Sequence, residues 1–133
     1  MYITSITYKD FNGDERTDRL YFHLSQADLT RLELSHKGGI KNLIIKIINE
    51  HDNYALWNLF EELIAASYGV KSADGKRFMK NPEILNDFKE SNGYSEFIFS
   101  LFDSEKANEF VSGLVQEAKQ EQLPSIPAPQ LVK

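Results

Sequence analysis

The sequence has no cysteine and no apolar run long enough to cross a membrane. Without cysteine there is no disulfide framework and no thiolate ligand for a zinc site, which is consistent with a reducing cytoplasm. A membrane-spanning helix needs roughly 20 apolar residues, and no stretch approaches that length. The residues after Met1 do not resemble a signal peptide, because no basic segment precedes an apolar run and Lys9-Asp10 comes too early. We therefore expect a soluble protein with no membrane partner.

Basic residues are outnumbered, with 15 lysines and arginines against 20 aspartates and glutamates and a net charge of −5. Nonspecific nucleic-acid binding depends on a basic face, so we expect no nucleic-acid partner. A chain of 133 residues has the length of about one domain. Folding at this size hides roughly two thirds of the unfolded chain's surface, which is enough for an apolar core.

The first part of the chain predicts a β-hairpin with strands 2–8 and 16–24. Two turns fit the connecting segment 10–14: a two-residue turn at Asn12-Gly13, or a three-residue loop that places Gly13 in the left-handed region. The second turn pairs position 10 with position 14 and is preferred, because it gathers the even-numbered apolar residues on one face. That face holds Tyr2, Ile6, Tyr8, Leu20, Phe22 and Leu24, and Ile3 is the one misfit on the other face. An isolated hairpin is marginal in water, so this one should pack on helices or join a partner's sheet.

Helical patterns follow the hairpin. Ser25 and Asp28 form a helix start, and that helix should end near Leu34. The next segment, 40–50, is rich in β-branched residues, but its apolar spacing is helical and we predict a helix with Ile45 on its polar side. A third helix begins at Asp52 or Asn53 and closes near Gly69. Its broad apolar stripe, which includes the only tryptophan, predicts the element around which the other helices pack.

The segment after this helix is polar and should turn at Asp74-Gly75. It contributes little to a core by pattern, and it carries a basic cluster of Lys71, Lys76, Arg77 and Lys80. Four like charges in ten residues of an acidic protein are uneven. They indicate a patch for an acidic partner or for the acidic surface of a neighbouring copy, and the alternative is a solvated turn.

Three further helices are expected downstream. One starts at Asn81-Pro82 and buries Ile84, Leu85 and Phe88; a second spans Tyr94 to Phe102 after a break at 91–93; the last is capped by Ser104 and has apolar positions up to 118. The predicted fold is therefore α+β and mostly α, with the hairpin in 2–24 and about five helices in 25–121. We expect residues 1–121 to form a single globular domain and residues 122–133, which are rich in proline, to form a flexible, disordered tail.

No motif of a catalytic or cofactor site is present. The sequence has no Gly-x-Ser-x-Gly turn, no P-loop and no dinucleotide-binding glycine pattern. Glu61 and Glu62 are adjacent, so they do not face one substrate as an acid/base pair and are interpreted as a solvated helix face. The Glu-His-Asp segment 50–52 has metal-ligand residue types, but a polar helix end is the preferred interpretation. We therefore predict no enzymatic activity, no cofactor and no metal.

Two large apolar residues, Ile45 and Phe99, miss the stripes of their helices. Either these helices are buried on more than one side, or the two residues belong to a protein-contact surface. We take them as candidate contact residues. The same role is predicted for the segment after the third helix, at Tyr68, Lys71, Lys76, Arg77 and Phe78.

Several segments resemble the tail assembly chaperones of long-tailed (siphovirus-type) phages and prophages of Gram-positive bacteria. The most specific is the run from Ser67 to Phe78, Ser-Tyr-Gly-Val-Lys-Ser-Ala-Asp-Gly-Lys-Arg-Phe. Others are the opening Ile6-Thr7-Tyr8 strand with its Asn-Gly turn, the run 21–25 and the Phe-Glu-Glu-Leu-Ile run at 60–64. The resemblance covers about residues 1–115, and the proline-rich end departs from it.

The resemblance implies a non-enzymatic protein of the bacterial host cytoplasm. Such a protein binds the tape measure protein before the tail tube polymerises, keeps that long helical chain soluble, recruits tail tube subunits and self-associates into a homo-oligomer. A frameshifted longer form is common in the family. The alternative from another class is a small structural virion component, such as a head–tail connector or minor tail protein, which would remain in the finished particle.

Overall fold

The structure, a computed structural model, describes residues 1–115 as a four-stranded antiparallel sheet with helices packed against it. The strands follow the spatial order β1-β2-β3-β4. The elements are β1 (Tyr2–Lys9), β2 (Glu15–Phe22), α1 (Gln26–Ser35), α2 (Gly39–Glu50), α3 (Asn53–Ser67), β3 (Tyr68–Lys71), β4 (Phe78–Met79), α4 (Pro82–Lys89), α5 (Asn92–Ser100) and α6 (Ser104–Val115). The predicted α+β, mostly α fold is confirmed, with six helices in the described part of the chain. The domain boundary at 121, the tail 122–133 and position 118 lie outside the described residues.

The β1–β2 hairpin has the preferred register. The Asp10 N–H donates to the Asp14 carbonyl at 2.8 Å, and the Gly13 N–H donates to the Asp10 carbonyl at 3.0 Å. Gly13 has φ +83°, a left-handed conformation that glycine adopts without strain. The three-residue loop is therefore confirmed and the two-residue turn is wrong. As the register requires, Leu20 and Phe22 are buried.

The core is centred on Phe22, which is completely buried. Its ring stacks on Phe97 of α5 at 4.8 Å between centroids and meets the edge of Phe110 of α6 at 5.2 Å. Helix α3 supplies Leu56, Leu59, Phe60, Leu63 and Ile64 to the same core. The third helix is thus a core element as predicted. Trp57 is only partly buried, however, so it does not occupy the centre where the helix stripe placed it.

Helix starts follow the sequence signals closely. Ser25 and Asp28 form a reciprocal capping box at α1, and the Asp52 carboxylate accepts from the Ala55 N–H at 3.0 Å at α3. At α6 the cap is Asp103, which accepts from the Glu105 N–H at 2.9 Å, so Ser104 is the first helical residue and not the predicted cap. Segment 40–50 is helical as predicted.

The predicted break at 91–93 is confirmed only at its first residue, because Ser91 is the N-cap of α5, whereas Asn92 and Gly93 already belong to that helix. Gly93 packs against the Tyr8 ring, and a Cβ there would lie 3.0 Å from a ring carbon. The absence of a side chain at Gly93 therefore allows α5 to pack closely on β1, and this glycine does not end a helix. Helix α4 fully buries Phe88, while Ile84 and Leu85 are only half-buried.

The segment after α3 forms a second hairpin that the sequence pattern did not predict. Helix α3 ends at Ser67, and β3 continues directly from it, pairing Gly69 with Tyr21 of β2. The turn at Asp74-Gly75 is confirmed, with Gly75 at φ +75°. The segment therefore extends the sheet, which corrects the expectation that it adds little to the core.

Candidate protein-contact surfaces

Three aromatic rings form a partly exposed cluster, here called the aromatic patch: Trp57 of α3, Phe99 of α5 and Phe102 just beyond α5. The ring centroids lie 5.9 Å apart for Trp57 and Phe99, 5.8 Å for Trp57 and Phe102, and 5.5 Å for Phe99 and Phe102. All three pairs are edge-to-face, a favourable aromatic geometry. Phe99 is 55% exposed, and the other two side chains are half-buried. The predicted contact residue Phe99 is therefore the outermost member of a group.

Local backbone geometry assembles the patch. Helix α5 ends at Ser100, and the Phe102 N–H donates to the Phe99 carbonyl at 3.1 Å in the turn that follows. This turn carries Phe102 back beside Phe99 while Leu101 enters the core at 1% exposure. The proximity of Phe99 and Phe102 was predictable from the sequence, because residues three positions apart lie on the same side of a helical turn. Trp57 was missed as a member because its partners are distant in the chain.

Helical spacing places acidic residues beside the rings of the aromatic patch. Glu61 lies one turn after Trp57, Glu96 lies one turn before Phe99, and Asp103 follows Phe102. Helices α3 and α5 contain no lysine or arginine. Glu61 accepts a hydrogen bond of 3.5 Å from the Tyr94 hydroxyl, and the pKa of Tyr94 is raised to about 12, first by burial and then by the charge of Glu61. The patch therefore combines apolar rings with negative charge.

The tip of the β3–β4 hairpin carries the second candidate surface, here called the basic tip: Lys71, Lys76 and Arg77, all exposed. One acidic side chain, Asp74, is committed to the turn, since its Oδ1 accepts from the Ser72 hydroxyl at 2.7 Å and from the Lys76 N–H at 3.0 Å. Those bonds, the Lys76 N–H first, lower the pKa of Asp74. The structure thus holds three of the predicted basic residues in one exposed turn.

Lys80, the fourth residue of the predicted basic cluster, is not part of this tip. Its Nζ donates to the Asp28 carboxylate at 2.6 Å, to the Ala66 carbonyl at 2.9 Å and to the His23 carbonyl at 3.1 Å. All three ammonium hydrogens are therefore committed. Burial alone would raise the pKa of Asp28, but the bonds from Lys80 and Ser25 outweigh it and the pKa is lowered. Lys80 therefore links the base of the hairpin to the residue after β2, the first turn of α1 and the last turn of α3.

The two aromatic candidates of this hairpin are half-buried. Tyr68 stacks on Phe88 at 4.2 Å and meets the edge of Phe22 at 5.6 Å. Phe78 lies edge-on to His23 at 5.9 Å and pairs directly with Lys71 across the hairpin. Both residues therefore pack inward in this chain, and their predicted contact with a partner stays a prediction.

Ile45 lies on the outer side of α2 and is 37% exposed. Ile40, Ile44 and Ile47 point into the core from the same helix. The offset that the sequence spacing indicated is therefore real, and a contact role for Ile45 stays a prediction.

The polar residues considered for chemistry have structural contacts. The His36 Nε2 pairs with the Glu62 carboxylate, linking the α1–α2 connection to α3. In segment 50–52, Asp52 caps α3 and His51 adopts φ 50° at the end of α2, which agrees with a polar helix end. Within residues 1–115, no three His, Asp or Glu side chains are placed to hold a metal ion. No helix in the same range is long and apolar enough to cross a membrane.

Comparison with known proteins places the chain in a family. A family model described as phage tail assembly chaperone matches residues 1–128, nearly the full length. Comparisons with curated proteins and with solved structures find no match. The match includes both candidate surfaces and continues past the described residues. The chain therefore belongs to the phage tail assembly chaperone family.

Proposed function

We propose that this protein binds the tape measure protein of a long-tailed phage or prophage of Gram-positive bacteria and keeps it soluble until the tail tube polymerises. It also helps to recruit tail tube subunits and associates with further copies of itself. It acts without enzymatic chemistry in the cytoplasm of the host cell. Family membership supports the general role. The single structural observation behind client binding is the exposed aromatic patch.

The aromatic patch suits a helical client. Exposed apolar groups that cluster on a soluble protein usually mark a binding surface. Trp57, Phe99 and Phe102 offer rigid rings on which the apolar face of an amphipathic helix can pack. Glu61 and Glu96 beside them favour a client helix that places lysine or arginine next to its apolar stripe, and those cations can also lie over the rings.

The basic tip is the proposed contact for an acidic partner, either a tail tube subunit or a neighbouring copy. Its exposed cations at Lys71, Lys76 and Arg77 have the opposite sign to the rim of the aromatic patch. Two surfaces of opposite charge allow two partners to be held at once. Ile45, Tyr68 and Phe78 remain further proposed contacts.

Co-expression with the tape measure protein tests client binding. Phe99→Asp places a charge among the rings of the patch, so the soluble fraction of the tape measure protein should fall severalfold. Phe11→Asp is the matched control, because Phe11 is 79% exposed at the β1–β2 turn. Equal solubility with the wild type and with Phe99→Asp would contradict the proposal.

Mass spectrometry of purified phage particles distinguishes this role from that of a structural virion component. A chaperone leaves the tail as tube subunits replace it, so the finished particle should contain only traces of the chain. A fixed ratio of this chain to the tail tube protein would favour the structural role.

A further inference from the structure

One edge of the sheet is open along β1. In an antiparallel pair, residues that exchange hydrogen bonds alternate with residues that turn their backbone groups outward. The bond from the Asp10 N–H to the Asp14 carbonyl sets the even-numbered residues of β1 against β2. The odd-numbered residues Ile3, Ser5 and Thr7 therefore direct their N–H and C=O groups away from the sheet. Within residues 1–115, no strand pairs with that side.

The other long edge of this hairpin is protected, and β1 is not. Strand β3 reaches β2 only at Tyr21 and Phe22, so residues 15–19 of β2 also form an edge. That edge carries Glu15, Arg16, Asp18 and Arg19, and charged side chains are a common defence against strand addition. Segment 2–8 of β1 has no charge, no proline, no glycine and an unbroken register, and Ile3 on it is 43% exposed. An edge of this kind in a soluble protein is normally covered.

We propose that β1 is covered by β1 of a second copy, in an antiparallel pair with its two-fold axis at Ser5. The outward groups of Ile3 meet those of Thr7 of the partner subunit, and Ser5 meets Ser5 of the partner subunit. The remaining pair, Thr7 with Ile3 of the partner subunit, follows by symmetry. Each of these pairs exchanges two hydrogen bonds, giving about six in total and joining the two sheets into one.

The composition of this segment supports a second copy as the occupant. The register uses all three outward-facing residues at once, and within segment 3–7 it sets no like charges opposite each other, because these residues are uncharged. The Asn92 side chain donates to the Lys9 carbonyl at 3.0 Å, so pairing stops before Lys9. The contact is short and lies at the small end of interface sizes, which predicts a dimer that dissociates on dilution. This surface would serve the self-association proposed above, and its test needs no client.

Cysteine cross-linking tests the register, because the natural chain has no cysteine. In the pair, the Cα atoms of the two residues at position 5 lie about 5.5 Å apart. The two residues at position 17 lie three strand spacings apart, about 14 Å across the sheet, and are also displaced by about 13 Å along the strands, because Thr17 pairs with Thr7 and not with Ser5. Ser5→Cys with a short thiol–thiol cross-linker should give a covalent dimer. Thr17→Cys, on the same exposed face of β2, should give at least tenfold less. Equal yields, or no dimer from Ser5→Cys, would overturn the proposal.

Sedimentation of the purified chain over a hundredfold range of concentration gives a second, independent readout. Ser5→Pro removes an outward N–H that makes no bond to β2, so the variant should keep the wild-type circular dichroism and remain a monomer at concentrations where the wild type dimerises. Thr17→Pro, which removes an outward N–H from the charged edge of β2, should dimerise like the wild type. A dimer that survives Ser5→Pro would contradict the pairing. Should that variant unfold, the cysteine pair decides alone.

Discussion

The aromatic patch and the β3–β4 hairpin are both candidate contact surfaces, but they are built differently. The patch lies on two helices and is only partly buried, with Trp57 packed against the core and Phe99 outermost. The hairpin exposes charge at its tip, while its base is part of the core through Tyr68 and Lys80. Residues that lie close in sequence can thus have opposite roles, one stabilising the fold and the next free to bind.

The largest effect should come from the aromatic side chain at the hairpin base. Tyr68→Ala removes the ring that stacks on Phe88 and leaves a gap beside Phe22, and we expect a loss of about 3 kcal/mol in the free energy of unfolding. Lys71→Ala, three residues along the same strand, should change it by less than about 0.5 kcal/mol. Urea denaturation measures both. Similar losses for the two variants would show that base and tip do not differ.

A smaller loss is expected at Lys80. Lys80→Met leaves the Asp28 carboxylate and two carbonyls without their donor, which should cost about 2 kcal/mol. Lys76→Met at the tip is the matched control and should be nearly neutral. If Lys80→Met leaves the free energy of unfolding unchanged, the base of the β3–β4 hairpin is held by ring packing alone.

The Lys80–Asp28 bond also predicts a pH dependence. The pKa of Asp28 is lowered in the fold from its ordinary value of 3.8. The contribution of ionised Asp28 to the free energy of unfolding is therefore fully present at pH values above 3.8, and it is lost as the pH falls through the lower pKa of the folded state. Acid unfolding of Lys80→Met should lack this component, and the gap in stability between wild type and variant should narrow below about pH 4. A gap that stays constant to low pH would contradict the ion pair.

The smallest effect concerns the acidic rim of the patch. Glu96→Lys should weaken binding of a basic amphipathic client peptide severalfold, and the difference should shrink with added salt because exposed charges are screened. Lys76→Glu at the basic tip should leave this affinity unchanged. Equal effects from the two substitutions would mean that net charge, not the rim, governs binding.

Local patterns in the sequence predicted the parts of the fold that depend on neighbours in the chain. The placement of apolar residues at even positions predicted the hairpin register. The side-chain oxygens of Ser25 and Asp52 predicted where α1 and α3 begin. Strand β3 was missed because Tyr68–Lys71 is stabilised by pairing with β2, far away in the chain. Gly69 has a second requirement that the pattern does not show, since a Cβ there would lie 2.7 Å from the Met79 carbonyl oxygen of β4.

The candidate surfaces were predictable to different degrees for the same reason. Phe99 and Ile45 were recognisable because each departs from its helix stripe. Trp57 was placed in the core because a stripe as wide as that of α3 does not reveal which of its sides is covered. Lys80 was placed with the exposed cations because its three acceptors come from segments separated from it by 14 to 57 positions.

The proposed binding of a client helix on the aromatic patch can be measured directly through the fluorescence of Trp57, the only tryptophan. Titration with a tryptophan-free helical segment of the tape measure protein should shift the emission of Trp57 to shorter wavelength with saturation, because the half-buried indole loses its remaining water. Phe99→Asp should abolish that shift. A complex that sediments as one species while the emission of Trp57 stays unchanged would contradict the account.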